Sequence, residues 1–269
     1  MATETATPKA CCADVGFQHE GTATGVEEKL GSLDYYVKRP TTPSTTAIVI
    51  ATDIFGWKMN NVRLIADYFC ENTGFNVYIP DMFDGKALPA DVMGDINLHV
   101  PQPFMTKIGM YFGLMSRLPK LVPWMRANSV SSVAPKIDKF IDDIREKQGI
   151  TKIGMQGYCY GAPFCLKNAA NADRIQAFCL AHPSAVTIPT DVEPVKVPSL
   201  WLCAQHDMVF TPSMRKKAEE LLKGKNATFV DYEGVQHGFA SRGDDKEEVV
   251  KAAMTDARKR GAEFFKQNL

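Results

Sequence analysis

At 269 residues, 45% of them hydrophobic, the chain can bury one large core, and nothing resembling a linker divides it. Thirty-one basic and thirty-one acidic side chains cancel, which removes the electrostatic case for nucleic acid or an anionic membrane and leaves a small molecule as the expected partner. Seven cysteines, an odd number without framework spacing, argue for reduced thiols in a cytoplasmic protein. Residues 1–15 have neither an apolar signal core nor transit-peptide arginines and are expected to be a flexible lead-in to a single domain over 16–269. No segment has the apolar length to span a bilayer. Ile108 to Trp124 comes nearest but is broken by Arg117, Lys120 and two prolines. Cys11-Cys12 lacks a second ligand pair, so neither a metal nor a cofactor is expected.

In chain order, Leu33 to Lys38 and the β-branched run Thr46 to Ala51 predict strands, the second covered on both faces. Val62, Ile65, Ala66 and Phe69 are spaced for a helix over 60–69, and Asn76 to Asp81 predicts the next strand. After the middle of the chain the alternation resumes. Lys152 to Gln156, Ile175 to Ala181, Val197 to Ala204 and Ala227 to Tyr232 predict strands. Helices are predicted after residue 160, around Ser213 to Lys223, and from about Lys246 to Gln267. Such alternation calls for a mostly parallel sheet between helices, an α/β class fold. Residues 82–134, rich in Met, Pro and Leu, interrupt the pattern. They read either as helical packing over a sheet edge or as a lid-like pocket wall.

Chemistry concentrates in Gly157-Tyr158-Cys159-Tyr160-Gly161, which follows the apolar run Ile153-Gly154-Met155 and opens a helix. This is the spacing of a nucleophile elbow, where glycines flank a sharp strand-to-helix turn because side chains there would strike the neighbouring strand and helix. A thiol takes the place of the usual hydroxyl. The competing reading of Cys159 is a small buried hydrophobe.

An α/β-hydrolase orders its catalytic residues as nucleophile, acid and histidine, each on a loop after a strand. His19 and His99 precede Cys159, His182 follows the very next strand, and His206 abuts an aspartate, which leaves His237 as the base. Asp207, three residues beyond the strand ending at Ala204, is the acid candidate; a turn or helix-capping aspartate is the other reading of it. In this scheme His237 takes the thiol proton and Asp207 steadies the imidazolium. The N–H of Tyr160, and that of Ile54 in the loop after an earlier strand, would form the oxyanion hole.

Thr52-Asp53-Ile54-Phe55-Gly56-Trp57, the Cys159 pentapeptide, Ala204 to Asp207 and His237-Gly238-Phe239-Ala240 together resemble the dienelactone hydrolase (carboxymethylenebutenolidase) family over about residues 11–266. The similarity is nearest to its eukaryotic branch, whose Cys-Cys segment, acidic helix-like stretch and Gly-Leu-x-x-Tyr strand compare with Cys11-Cys12, Glu27-Glu28 and Gly31 to Tyr36. The resemblance implies an α/β-hydrolase fold and a Cys159–Asp207–His237 triad acting through an acyl-thioester on a small ester or lactone. It also implies that Asp53 contacts and gates the nucleophile at rest, and that Arg242, Trp57 and Phe239 line the substrate site. Bacterial members carry Glu where Asp53 stands and place an arginine four residues beyond the histidine, whereas Arg242 lies five beyond His237. A monomer or homodimer is expected.

Two other functions share these residues. A hydrolase-like protein could bind a small lactone without turning it over, and a thiol redox sensor could pair Cys159 with Cys165 or with Cys11-Cys12.

Overall fold

The computed structural model describes residues 18–89 and 118–269. Eight strands form one sheet: β1 (Val26–Leu30), β2 (Leu33–Lys38), β3 (Thr46–Ala51), β4 (Asn76–Pro80), β5 (Lys152–Tyr158), β6 (Ala177–Ala181), β7 (Ser199–His206) and β8 (Ala227–Gln236). Their spatial order is β1-β2-β4-β3-β5-β6-β7-β8, with β1, β2 and β4 paired antiparallel in turn and every later neighbour parallel. The labelled helices are α1 (Asn60–Thr73), α2 (Val130–Gln148), α3 (Ala162–Ala169), α4 (Pro212–Leu221), the single turn α5 (Phe239–Arg242) and α6 (Glu248–Asn268).

Strand alternation divides the interior into two cores. Ala47, Val49 and Ala51 of β3 face one core with Ile137, Phe140 and Ile141 of α2 and Phe164 of α3, while Ile48 and Ile50 face the other with Ile65 and Phe69 of α1 and Phe265 of α6. Because both faces are covered, β3 is buried along almost its whole length, as its unbroken apolar run predicts. Gly261 lets α6 approach α1 closely, since a Cβ there would lie 3.1 Å from the Phe69 ring. None of the described helices is long and apolar enough to cross a membrane.

Two elements lie outside those read from the sequence. The acidic stretch Glu27-Glu28, compared above with a helix-like segment, is the edge strand β1, paired in register with β2 across the turn at Gly31 (φ 63°). Five residues are too few for a stable isolated helix, and Glu28 gains a two-pronged contact with Arg39 (2.7 and 2.8 Å) by lying flat on the sheet. Helix α2 follows the interrupting segment, capped by Ser129 at its start and by Gly149 (φ 69°) at its end. Of the 82–134 segment, residues 90–117 lie outside the described residues. Residues 118–127 are helical, and Trp124 from that stretch packs on Phe83 at 5.2 Å.

Beyond β5 the chain turns through a single 3-10 turn, Cys159–Gly161, into α3. Cys159 takes φ 48°, a left-handed conformation that costs a non-glycine residue about 1–3 kcal/mol. Packing holds it there. A Cβ on Gly157 would sit 2.8 Å from Leu180 of β6 and 2.9 Å from Cys165 of α3, and one on Gly161 would fall on the Ala51 carbonyl of β3. The glycines are thus required by close approach to strand and helix, as the elbow spacing predicts. Gly161→Ala is expected to destabilise the fold by at least about 3 kcal/mol in urea unfolding, because backbone rather than a flexible side chain would have to yield.

Candidate active site

The parallel strands all end at one edge of the sheet, so the loops after β3, β5, β6, β7 and β8 converge there. Three of them deliver the sequence-selected residues in a chain of contacts. His237, immediately after β8, lies with Nε2 3.1 Å from Cys159 Sγ and Nδ1 2.9 Å from Asp207 Oδ2. All three side chains are buried.

Asp207 makes the contacts of a turn aspartate and also faces His237. Its Oδ1 accepts the N–H groups of Val209 (2.8 Å) and Phe210 (2.9 Å) in the turn after β7, which leaves Oδ2 aimed at the imidazole. The turn fixes the carboxylate, and the carboxylate fixes the tautomer: with Nδ1–H donating to Asp207, Nε2 faces the sulfur. Burial alone would lower the His237 pKa. The adjoining Cys159 charge and the hydrogen bonds to Asp207 and Cys159 outweigh it and hold the ring well above the ordinary imidazole range. Such an arrangement can hold a proton on His237 beside the Cys159 sulfur.

The loop after β3 departs from what the resemblance implies. Asp53 does not touch the thiol: its Oδ1 accepts Phe55 N–H (3.0 Å) and its Oδ2 accepts Arg242 Nε–H (2.8 Å). Arg242, only 2% exposed, also lays its guanidinium over the Phe55 ring at 4.5 Å. A short carboxylate turned back on its own loop is satisfied before it reaches the sulfur. Ile54 is anchored through its carbonyl, which accepts Leu88 N–H at 2.9 Å, and Tyr160 is the middle residue of the turn Cys159–Gly161, where N–H groups lack helical partners.

Trp57 and Phe239 occupy the core rather than a pocket surface. Trp57 is 4% exposed, with Arg63 over its ring at 5.0 Å. Phe239 is 1% exposed and packs on Tyr232 at 4.9 Å and on His182 at 5.8 Å. Their place next to the motifs in sequence does not carry over to space, because large apolar rings at strand ends fill the second core.

Two residues of the loop after β6 join the site without having been singled out. Ser184 donates its N–H to the Cys159 carbonyl (3.0 Å) and sets its Oγ 3.4 Å from Cys159 Sγ. His182 is fully buried, edge-on to His237 at 5.1 Å, and its two ring nitrogens have no partner among the described residues. The available signal was topological: β6 neighbours β5, so the segment His182-Pro183-Ser184 had to emerge beside the elbow.

Burial, with lesser contributions from the charges of His237 and Arg242, drives the His182 pKa well below the ordinary value. An unfolded chain would bind a proton at this histidine below about pH 6.5 that the folded chain refuses, so folding stability must fall with pH in that range. Burial lowers His19 as well, with the same sign. The raised His237 acts in a separate window: its contribution is complete below about pH 6.5 and is lost as pH rises through its elevated native value. His182→Phe is expected to flatten the decline in unfolding free energy between pH 6.5 and 5, by up to about 1.4 kcal/mol per pH unit. Calorimetric scans across that range check it.

The model of the dienelactone hydrolase family matches residues 33–269. The chain is 28% identical over 263 residues to "Hydrolase tropI" of Talaromyces stipitatus, covering 97% of this chain and 96% of that protein. It is 25% identical to "Carboxymethylenebutenolidase homolog" of Mus musculus, covering 95% and 96%. Among solved structures it is similar in fold to a putative dienelactone hydrolase from Klebsiella pneumoniae, with TM-score 0.66 and 17% identity over 91% of this chain and 98% of that one. With its α/β-hydrolase sheet and a family match from β2 to the last residue, the chain belongs to the dienelactone hydrolase family of hydrolases.

Proposed function

We propose that this protein is a cysteine-dependent hydrolase of small, uncharged esters or lactones. The observation that carries the reading is the buried line Asp207 Oδ2–His237 Nδ1 (2.9 Å) and His237 Nε2–Cys159 Sγ (3.1 Å), at the strand ends where a nucleophile, base and acid belong. The Cys159 thiolate adds to the acyl carbonyl, and the N–H groups of Tyr160 and Ile54 receive the oxyanion. Collapse breaks the acyl C–O bond while His237 gives its proton to the departing oxygen, leaving a thioester. Neutral His237 then takes a proton from water, hydroxide attacks, and the C–S bond breaks to release the carboxylic acid and restore the thiolate.

Substrate charge follows from Arg242. Its charge is matched by Asp53 and its face by Phe55, so a substrate carboxylate would have to displace a buried ion pair to engage it. The apolar wall is better supplied: the Tyr160 ring stands 6.1 Å from Phe83 and 6.5 Å from Trp124, beside the nucleophile. Phe83 and the helical stretch 118–127 belong to the segment read as a pocket wall, and that role is retained in this proposal.

A redox relay has less support. Cys165, Cys179 and Cys203 are buried, and burial pushes each thiol above its ordinary range, away from the thiolate form that exchange needs. Cys11 and Cys12 lie outside the described residues. A non-catalytic binder would have no use for an aligned acid and base.

Cys159→Ala and His237→Ala are each expected to lower kcat/KM for aryl esters by about 10³-fold or more. Turnover kept near the wild-type value by Cys159→Ala would refute the assignment. Matched aryl esters with neutral and carboxylate-bearing acyl groups are expected to favour the neutral member in kcat/KM. A preference for the anionic one would return Arg242 to the role of carboxylate ligand.

A further inference from the structure

The geometry points to Ser184 as a further catalytic residue, whose hydroxyl donates a hydrogen bond to the Cys159 sulfur and holds it as the thiolate. This rests on Cys159 being the nucleophile, as proposed above. Two contacts from one residue grip the cysteine at both ends: Ser184 N–H on the Cys159 carbonyl at 3.0 Å, and Ser184 Oγ at 3.4 Å from Sγ. The second distance suits a hydrogen bond to sulfur, which is longer than one to oxygen because sulfur is larger.

The direction of donation follows from the neighbours. His237 Nδ1 faces a carboxylate, so Nε2 serves the sulfur, and a ring protonated at both nitrogens donates to Sγ from that side. With the proton on His237 the sulfur has only lone pairs to offer, and the hydroxyl beside it is the donor. The thiolate is then held between a cationic N–H from the loop after β8 and a neutral O–H from the loop after β6. Among the described residues, charged and titratable groups near the pair include Asp207 behind His237, His182 edge-on to it, and the Asp53–Arg242 pair from the loop after β3 and α5. The Tyr160 phenol donates to the Asn128 carbonyl and is already engaged.

The backbone around Ser184 fits a placed group. His182 (φ 39°) and Ala185 (φ 53°) are both left-handed, so the chain turns sharply on either side of it. Ser184 is itself half-buried rather than sealed in the core.

The test is the pH dependence of iodoacetamide alkylation at Cys159, read by peptide mass spectrometry in wild type, Ser184→Ala and Ser184→Thr. The Ala variant keeps the N–H contact to Cys159, so it removes only the hydroxyl. Its acid limb is expected to move up by about one pH unit, and Thr is expected to restore it. A pure packing role would lower the rate evenly without moving the limb. A limb superimposable on that of wild type would overturn the inference while leaving the nucleophile assignment intact. That assignment fails separately if Cys159→Ala keeps its turnover. If Ser184→Ala unfolds, the isosteric pair Ser184→Thr and Ser184→Val asks the same question through the same profile.

Discussion

The arrangement depends on one strained residue, Cys159, held at φ 48° by backbone packed too closely for any side chain at Gly161. The carbonyl of Ala51 in β3 occupies the space a Cβ would need. Leu180 of β6 and Cys165 of α3 do the same at Gly157. Three neighbouring elements therefore set the conformation of the turn. That turn lifts the sulfur out of the sheet toward the loops after β6 and β8 while α3 begins directly behind it. Strain of about 1–3 kcal/mol is sustained because relaxing it would mean moving two central strands.

Around this turn the site is assembled from short, mutually dependent contacts. Asp207 is fixed by the turn it closes, His237 by Asp207, and the sulfur by His237 and Ser184. His182 lies edge-on to the imidazole and is kept neutral by burial, so it can fill the space beside His237 without adding positive charge. Asp53 and Arg242 cancel each other a short distance away. Among the described residues, the His237–Cys159 contact is thus buried beside a carboxylate–guanidinium pair whose charges match. Electrostatic interactions gain most in such surroundings.

Much of this was legible in the residues. The strand at Thr46–Ala51 and the elbow at Cys159 are local patterns with steric causes, and chain order picks out Asp207 and His237, which the fold brings into one line of contacts with Cys159. What the sequence concealed was three-dimensional adjacency. Glu27-Glu28 forms an edge strand because β2 lies beside it, which no local propensity records. Asp53 meets Arg242 across 189 residues instead of meeting the thiol, and Trp57 and Phe239 turn into the core. Ser184 has no motif of its own and becomes visible only once β6 is placed next to β5.

The proposed mechanism requires Cys159 to carry the acyl group during turnover. Acid quench of the enzyme within its first turnovers on an activated aryl ester, followed by intact and peptide mass spectrometry, tests it directly. A mass gain equal to the acyl group is expected, located on the Cys159 peptide and released by hydroxylamine. Full turnover with the acyl group on another residue, or with no adduct under conditions where hydrolysis of the intermediate limits the rate, would contradict it.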